Sequence, residues 1–210
     1  GGSAGYAAAR TARDAGADVA IVDQGPLGGL CILRGCMPTK TILRSAEIIA
    51  LMKRAREFGL SPVTAQADLS AIVDRKNRLV QEFADYRIAA LRDPRFTLYE
   101  SRAEFLSPHE LRAGDVRIRG GAFVIATGSS AAEVAIPGLD EAGYLTSDEM
   151  LDIRRQPASL LVLGGGLVAV EFAQFFARIG TKVTMLQRST TLLSDMDEDI
   201  SQALASAFQD

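Results

Sequence analysis

The sequence contains two cysteines, Cys31 and Cys36, and their C-x4-C spacing places them just ahead of a long amphipathic run. This position predicts a thiol pair at the start of a helix. A thiolate there is stabilised by the positive end of the helix dipole and by the nearby charge of Lys40, so we expect reactive cysteines. A structural disulfide and half of a zinc site are the alternatives, although the single histidine, His109, leaves few ligands for zinc.

The segment from Gly28 to Lys40 resembles the redox-active disulfide of the class I pyridine nucleotide-disulfide oxidoreductases, whose usual form is G-G-T-C-x-N-x-G-C-x-P-S-K. This family includes lipoamide dehydrogenase, glutathione reductase and mercuric reductase. The matching positions are Gly28, Gly29, Cys31, Gly35, Cys36, Pro38 and Lys40. Three positions differ: Leu30 replaces a threonine that usually helps to bind FAD, Leu33 replaces asparagine, and Thr39 replaces serine.

The resemblance implies roles for four side chains. Cys31 and Cys36 would form a disulfide against the flavin ring, with Cys36 facing the flavin and Cys31 reacting with substrate. Lys40 would pair with Glu171, which lies two residues after the alanine of a second glycine-rich turn. A glutamate at a helix start that satisfies the helix dipole is the alternative explanation of Glu171, and the two explanations are compatible.

The first ten residues look like the end of a dinucleotide-binding turn whose leading glycine is missing. In a G-x-G-x-x-G turn the second glycine lets the backbone approach a pyrophosphate and the third permits close helix packing. We predict a helix from Gly5 to Gly16 and then a strand that ends at Asp23, where an acid can bind ribose hydroxyls. The residues expected to bind FAD here are Gly2, Ser3, Ala4, Gly5, Asp23, Gln24, Gly29 and Lys40.

Two helices and several short strands are predicted after the cysteines. Apolar spacing indicates helices over residues 38–57 and 69–92, and strands over 96–99, 103–106, 110–112, 116–119 and 122–126. His109 falls in a turn, where we expect an exposed side chain. The last strand leads into an A-T-G segment like the one at which the family's FAD domain ends. Further FAD-binding residues are therefore Ala103, Ala126, Thr127 and Gly128.

A second nucleotide-binding unit begins with the apolar strand Leu160–Leu163. It continues through a G-x-G-x-x-A turn, a helix that ends near Ile179, and the strand Lys182–Leu186. A glycine turn in this strand–turn–helix–strand context is typical of dinucleotide binding. The expected nucleotide-binding residues are Gly164, Gly166, Leu167, Val168, Glu171, Gln187 and Arg188.

The end of the second strand favours NADP over NAD. A carboxylate at that point binds the ribose hydroxyls of NAD, whereas Gln187 and Arg188 stand there in this chain. An arginine without a nearby acid can accommodate the additional phosphate of NADP. Ala169 in place of the last glycine resembles glutathione reductase and points the same way. An exposed arginine at a strand end is the alternative, and NAD stays open.

These patterns predict an α/β protein. We expect an FAD-binding Rossmann-like domain over residues 1–155 that lacks its first strand, followed by the start of an NAD(P)-binding Rossmann-like domain over residues 156–210. The family's C-terminal dimerisation domain is expected to be absent from this chain. That domain carries a histidine that serves as acid-base in the partner subunit, so we expect this stretch alone to be inactive.

Composition gives further expectations. A net charge of −3 gives no reason to expect a nucleic-acid partner, and no apolar run approaches the roughly 18 residues of a membrane span. We expect a cytoplasmic protein, a homodimer when full length, with no metal site.

The predicted function is an FAD-dependent NAD(P)H:disulfide oxidoreductase that acts on a small disulfide or dithiol such as a lipoamide-type compound. Three alternatives stay open. The first is metal reduction like that of mercuric reductase, which requires a further cysteine pair near the C-terminus. The second is a quinone or oxygen reductase with vestigial cysteines. The third, indicated by Leu30 and Leu33, is a flavoprotein without disulfide turnover.

Overall fold

The computed structural model of the chain describes residues 1–61 and 63–209, so Asp210, the last residue of the predicted second domain, lies outside the described residues. The chain is an α/β protein and divides into two compact units. The first unit comprises residues 1–38 and 77–139, and the second comprises the described residues of 39–76 and 140–209. The domain boundary near residue 155 stays a prediction.

The helices in chain order are α1 (Ser3–Asp14), α2 (Leu30–Leu33), α3 (Cys36–Lys53), α4 (Leu69–Leu91), α5 (Leu139–Ala142), α6 (Ser147–Met150), α7 (Leu167–Ile179) and α8 (Glu198–Ala207), with a 3-10 helix over Ala55–Phe58. The strands are β1 (Ala20–Val22), β2 (Thr97–Tyr99), β3 (Ala103–Ser107), β4 (Glu110–Ala113), β5 (Val116–Arg119), β6 (Ser159–Leu163) and β7 (Lys182–Leu186).

The first unit contains a parallel pair and an antiparallel meander. β1 pairs in parallel with β2, with Ile21 opposite Leu98. β3, β4 and β5 form an antiparallel sheet in which β4 is central. Because parallel strands require a crossover connection, helical residues separate β1 from β2 along the chain. The buried core of this pair consists of Ala9, Ile21, Leu27, Leu91 and Phe96.

The second unit is built around the parallel strands β6 and β7, with Leu163 opposite Leu186. Helix α7 connects them and is apolar over most of its surface. Phe175 and Phe176 are 1% and 0% exposed, and their rings meet edge to face with centroids 4.9 Å apart. The buried core of the unit consists of Ile42, Ala46, Leu69, Val73, Leu151, Phe172, Phe175, Phe176 and Ile179.

Most of the predicted elements are confirmed. Helix α4 lies within one residue of the prediction, β5 and β7 have the predicted bounds, and His109 lies in an exposed turn after β3. Helix α1 begins earlier than predicted, at Ser3, and ends at Asp14. The helix predicted to end near residue 57 ends at Lys53 and is followed by the 3-10 helix.

The strand predicted over residues 122–126 is wrong. Its apolar residues have no hydrogen-bonded neighbouring strand among the described residues, and Val124 and Ile125 are each 72% exposed. A run of β-branched residues forms a strand only when another backbone is available to pair with it, and composition alone does not reveal that partner. Over the described ranges 1–61 and 63–209, no helix combines the length and apolarity needed to cross a membrane.

Candidate functional site

The first glycine turn is in backbone contact with the cysteine motif. Gly2 is the N-cap of α1, and its carbonyl accepts a hydrogen bond from the Tyr6 nitrogen at 2.9 Å. A methyl group on Gly29 would overlap the Cα of Gly2 and lie 3.0 Å from its nitrogen. Gly29 also has a φ of 78°, a conformation that side chains disfavour. Glycine at position 29 is therefore required by both space and backbone conformation.

Asp23 is held beside the same turn, directly after β1. Its Oδ2 lies 2.5 Å from the nitrogen of Gly1, and its Oδ1 accepts a hydrogen bond from the Gly25 nitrogen at 2.7 Å. The Asp23 nitrogen donates to the carbonyl of Tyr99 at 3.0 Å. These contacts fix the Asp23 carboxylate at the end of β1. The sequence predicts that an acidic side chain at this position binds ribose hydroxyls. Gln24 is exposed beside it.

The A-T-G segment also reaches α1. A methyl group on Gly5 would lie 3.5 Å from the Cβ of Ala126, which is ordinary van der Waals contact. Thr127 and Gly128 follow and are exposed, and Gly128 has a φ of 75°. Ala103 begins β3 and is exposed.

Ser101 is a polar residue that the sequence analysis missed. Its Oγ is buried and has no hydrogen-bond partner within the described part of the chain. It lies near Gly114, where an added Cβ would be 3.6 Å from the Ser101 Cβ. Buried polar atoms normally find a hydrogen-bond partner, so this hydroxyl is an exception, as are two guanidinium nitrogens of Arg87. No motif singles out this serine, and only burial reveals it.

The two cysteines lie at neighbouring helix ends in the first unit. Cys31 is half-buried in the short helix α2, and Cys36 is the exposed first residue of α3. Gly35 connects the two helices at close range, since a Cβ there would lie 3.1 Å from the Cα of Cys31 and 3.1 Å from the carbonyl oxygen of Leu30. The prediction that the thiols stand at a helix start is confirmed for Cys36. Their disulfide stays a prediction.

Leu33, which stands where the family motif has asparagine, packs on the glycine segment. Its Cγ and Cδ2 both lie 3.4 Å from the position of a Cβ on Gly28. Leu33 is half-buried, whereas Leu30 is 42% exposed. One departure from the motif therefore has a packing role, and the structure gives no corresponding account of Leu30.

In the second unit, Lys40 forms an ion pair with Glu171. The lysine Nζ donates to Glu171 Oε1, and the side chains are 61% and 27% exposed. Lys40 lies in the second turn of α3 and Glu171 in the second turn of α7. The ion pair predicted from the resemblance is therefore present, while its role stays a prediction.

The second glycine turn joins β6 to α7. Gly164 has a φ of 107° and donates its backbone N–H to the Leu186 carbonyl at 2.7 Å. Gly166 is the N-cap of α7, and the exposed Leu167 and Val168 form the first turn of the helix. Beyond β7, Gln187 is half-buried and Arg188 is exposed. A helix that opens from a glycine turn presents backbone N–H groups suited to a phosphate.

Both turns fit dinucleotides on the geometry of their own residues. The first combines a backbone cradle at Gly2 and Gly29 with the fixed carboxylate of Asp23. The second combines a glycine turn with an exposed first turn of α7, and Arg188 is exposed two residues beyond β7. Residues 1–61 and 63–209 contain no group of three or more His, Cys, Asp or Glu side chains that could hold a metal ion.

Comparison with known proteins gives a family match over the whole chain. The profile described as pyridine nucleotide-disulphide oxidoreductase matches residues 1–210. A mercuric reductase of Staphylococcus aureus is 37% identical over 204 residues, which cover 97% of this chain and 37% of that protein. A dihydrolipoyl dehydrogenase of Acholeplasma laidlawii is 36% identical over 214 residues, which cover 100% of this chain and 64% of that protein.

Among solved structures, the chain resembles the HOCl-induced flavoprotein disulfide reductase RclA from Escherichia coli with a TM-score of 0.81. The two are 32% identical, and the match covers 98% of this chain and 45% of RclA. A Cu(II) complex of RclA matches with the same TM-score of 0.81. The chain thus spans less than two thirds of the length of each of these proteins.

Proposed function

The chain belongs to the pyridine nucleotide-disulphide oxidoreductase family, and from this premise we propose that the intact protein is an FAD-dependent NAD(P)H:disulfide oxidoreductase. The contact between Gly29 and Gly2 carries the proposal. It ties the segment that bears Cys31 to the first glycine turn, which is the expected binding place of a dinucleotide. Electron transfer from FAD to a disulfide requires a reactive thiol pair close to the glycine turn that binds FAD.

The proposed FAD-binding residues are those of the first unit described above, together with Lys40. Asp23 would bind ribose hydroxyls, and the backbone N–H groups at the start of α1 would face the pyrophosphate. When bound, FAD would supply a carrier that takes a hydride equivalent from the nicotinamide and gives an electron pair to the cysteines. The protein positions the cysteines relative to the cofactor. The contact between Gly2 and Gly29 fixes the start of the cysteine motif beside the first glycine turn.

The proposed thiol chemistry is a disulfide exchange in which atoms and electrons balance. Two electrons and two protons convert the Cys31–Cys36 disulfide to two thiols. The Cys31 thiolate then attacks a substrate disulfide, forms a mixed disulfide and releases one substrate thiol. Cys36 attacks the sulfur of Cys31, re-forms the internal disulfide and releases the second thiol. The net reaction consumes one NAD(P)H and one proton for each substrate disulfide.

The helix starts suit these roles. Cys36 is the first residue of α3 and is exposed. Cys31 lies in α2 within a glycine-flanked segment whose backbone approaches that of Gly35 closely. Because the attacking group is the thiolate, a cysteine at such a position is more reactive than one in an apolar core.

The proposed nucleotide is NADPH, bound by the second unit. The glycine turn and the first turn of α7 would face the pyrophosphate, and the Arg188 guanidinium would pair with the 2′-phosphate. Lys40 and Glu171 form the ion pair that, in this proposal, adjusts the redox chemistry of the bound cofactors. NADH stays a second possible donor.

The substrate proposed first is a small disulfide or dithiol such as a lipoamide-type compound, in keeping with the similarity to dihydrolipoyl dehydrogenases. We further propose that the intact protein is a homodimer and is cytoplasmic. Both cysteines of this chain belong to the redox motif. None is left for the structural disulfides that are common in oxidising compartments, and this supports the cytoplasmic location.

Metal-ion reduction is the second candidate. Mercuric reductases of Staphylococcus aureus and Bacillus cereus are 37% and 36% identical to this chain, and RclA has been solved as a Cu(II) complex. Thiolates are strong ligands for soft metal ions, so the same cysteine pair would serve either substrate class.

The test is NADPH oxidation by the intact enzyme with lipoamide, Hg²⁺ or Cu²⁺ as the acceptor. We expect lipoamide-dependent turnover that falls by at least about a thousandfold in Cys31→Ser, because the attacking thiolate is lost. Turnover with Hg²⁺ or Cu²⁺ as the acceptor, without turnover with lipoamide, would support the second candidate. Turnover with quinone or oxygen that survives both Cys31→Ser and Cys36→Ser would overturn the proposal in favour of vestigial cysteines.

A further inference from the structure

Lys76 is a buried lysine that the proposed chemistry does not use. It lies on the core-facing side of α4, in line with the buried Leu69 and Val73, and its side chain is 5% exposed. Its Nζ donates to Asp152 Oδ1 at 2.7 Å, whereas the Asp152 side chain is 68% exposed. A lysine is rarely buried unless it is paired. The ion pair therefore accounts for a charge at the edge of an apolar core.

The pair fastens the chain segment that leads into β6. We call this segment, residues 151–158, the lead-in. Leu151 is buried and belongs to the same core as Phe172 of α7, and β6 follows the lead-in directly. Arg154 makes a second contact with α4, since its guanidinium lies 2.7 Å from Asp74 Oδ1. Two ion pairs therefore hold the lead-in on α4.

The residue before Lys76 ties α4 to α3. Arg75 Nη1 donates to the carbonyl of Thr41 at 3.0 Å, and Thr41 directly follows Lys40 in α3. Two adjacent residues of α4 thus hold two segments that carry opposite halves of one ion pair. Helix α3 provides Lys40, and the lead-in continues through β6 to α7, which provides Glu171. All of these contacts lie within the second unit.

The burial of Lys76 indicates that its ion pair determines position rather than stability. Desolvation offsets much of the attraction in a buried pair, and an apolar side chain of similar volume often replaces it without loss of stability. The pair still restricts geometry, because the carboxylate must stay within reach of the buried ammonium. Arg154 and Asp74 are 51% and 64% exposed, and exposed pairs hold their segments only weakly. The position of the lead-in therefore depends mainly on Lys76.

On the basis of the proposed function, we infer that Lys76 is a positioning residue for flavin reduction by NADPH. Its pair with Asp152 fixes the lead-in on α4, and Arg75 fixes α3 on the adjacent position of the same helix. Together they keep Lys40 and Glu171 within reach of each other. Because Lys76 acts through that pair, its loss should lower the rate of flavin reduction and leave the affinity for NADPH unchanged.

The experiment measures flavin reduction in the intact flavin-loaded enzyme by anaerobic stopped-flow absorbance at a series of NADPH concentrations. Lys76→Met should lower the limiting rate constant at least about fivefold, because even a small misplacement of groups near the chemistry slows a reaction strongly. The Kd for NADPH, taken from the concentration dependence, should change less than about twofold. Arg78→Met is the control: it removes an exposed partner of Glu82 on the same helix and should change neither value.

A double-mutant cycle tests whether Lys76 acts through Lys40. In Lys40→Met the ion pair with Glu171 is already absent, so the addition of Lys76→Met should slow flavin reduction by less than about twofold further.

Two further measurements need neither nucleotide nor turnover. Hydrogen exchange of the lead-in should be at least about threefold faster in Lys76→Met than in the parent, because its buried attachment is lost. The midpoint of urea unfolding should stay at the parent value, because the Asp152 carboxylate that remains is exposed to water.

Three results would overturn the inference. The first is a limiting rate constant in Lys76→Met that falls by less than about fivefold. The second is equal slowing by this substitution in the parent and in Lys40→Met. The third is a Lys76→Met variant that fails to fold or unfolds at lower urea, which would make Lys76 a stability residue. A parent flavin that NADPH does not reduce would instead contradict the proposed function, and the exchange and urea measurements do not depend on NADPH.

Discussion

The ammonium group of Lys40 pairs with the carboxylate of Glu171, although the two residues are 131 positions apart in the sequence. Lys40 lies one helical turn after Cys36 in α3, and Glu171 lies at the start of the helix that opens from the second glycine turn. Through this pair, a residue of the cysteine motif contacts a residue of the nucleotide-binding motif.

Because the Lys40–Glu171 pair is partly exposed, its removal should have a small effect on stability. A large effect on flavin reduction would therefore indicate a functional role. Exposed ion pairs contribute about 0–1 kcal/mol to stability. We expect Lys40→Met to lower the free energy of unfolding by less than about 1 kcal/mol while it slows flavin reduction by NADPH at least about tenfold. Urea unfolding and anaerobic stopped-flow absorbance measure the two effects.

Arg44→Met is the matched control for Lys40→Met. Arg44 lies on the same helix, is 58% exposed and pairs with Glu47 at 2.7 Å. It should show the same small stability effect and an unchanged rate of flavin reduction. Equal rates in the two variants would show that the Lys40–Glu171 pair has no role in the chemistry.

The backbone contact between Gly2 and Gly29 predicts that Gly29→Ala loses its flavin. The added methyl group overlaps the Gly2 backbone, which cannot yield as a side chain would, and the φ of 78° adds strain. We expect less than about a tenth of the parent flavin content after desalting, because flavin that binds more weakly dissociates on the column; every loss of about 1.4 kcal/mol in binding lowers the affinity tenfold.

Gly121→Ala is the control for the Gly29 substitution. No atom lies within 4 Å of a Cβ on Gly121, and its φ is not in the left-handed region. It should retain flavin as the parent does. Full flavin retention in Gly29→Ala would show that this contact does not shape the cofactor site.

Arg188 predicts a preference for NADPH. A charge-assisted hydrogen bond to phosphate is worth roughly 1.5–3 kcal/mol, which corresponds to about a tenfold to hundredfold change in affinity. Arg188→Glu should therefore abolish or reverse the preference, measured as the ratio of kcat/KM for NADPH and NADH. Arg155→Glu makes the same charge change at another exposed arginine and should leave the ratio unaltered. Equal use of the two nucleotides by the parent would mean that Arg188 is a surface residue only.

The second unit should depend on Phe176 for its stability. This side chain is 0% exposed and packs edge to face on Phe175, so Phe176→Ala leaves a large cavity. We expect a loss of about 3–5 kcal/mol in the free energy of unfolding. Phe58→Ala, at a residue that is 61% exposed, should cost less than about 0.5 kcal/mol. Similar losses in urea unfolding would contradict the core assignment.

The sequence predicted best the elements whose patterns are local. Helix α4 follows from apolar residues at three- and four-residue spacing, and β7 follows from a short apolar run after Gly180. The glycine turns and the cysteine motif could also be recognised, because each places particular residue types at a fixed spacing.

Features that depend on a distant partner could not be predicted in this way. Residues 122–126 have the composition of a strand but form none, because pairing requires another backbone. Helix α8 was not predicted, although Asp197 precedes it and acids occupy its first turn. The contacts of Gly29 with Gly2 and of Gly165 with Gln187 join separate segments of the chain, and only the three-dimensional structure reveals them.

Thiol titration of the intact enzyme before and after anaerobic reduction by NADPH tests the proposed redox function most directly. If Cys31 and Cys36 form the redox disulfide, reduction should expose two additional thiols per chain. Cys31→Ser should then display a long-wavelength absorbance band from the Cys36 thiolate beside oxidised flavin. A thiol count that NADPH leaves unchanged, with no such band in Cys31→Ser, would contradict the proposal that electrons pass through this cysteine pair.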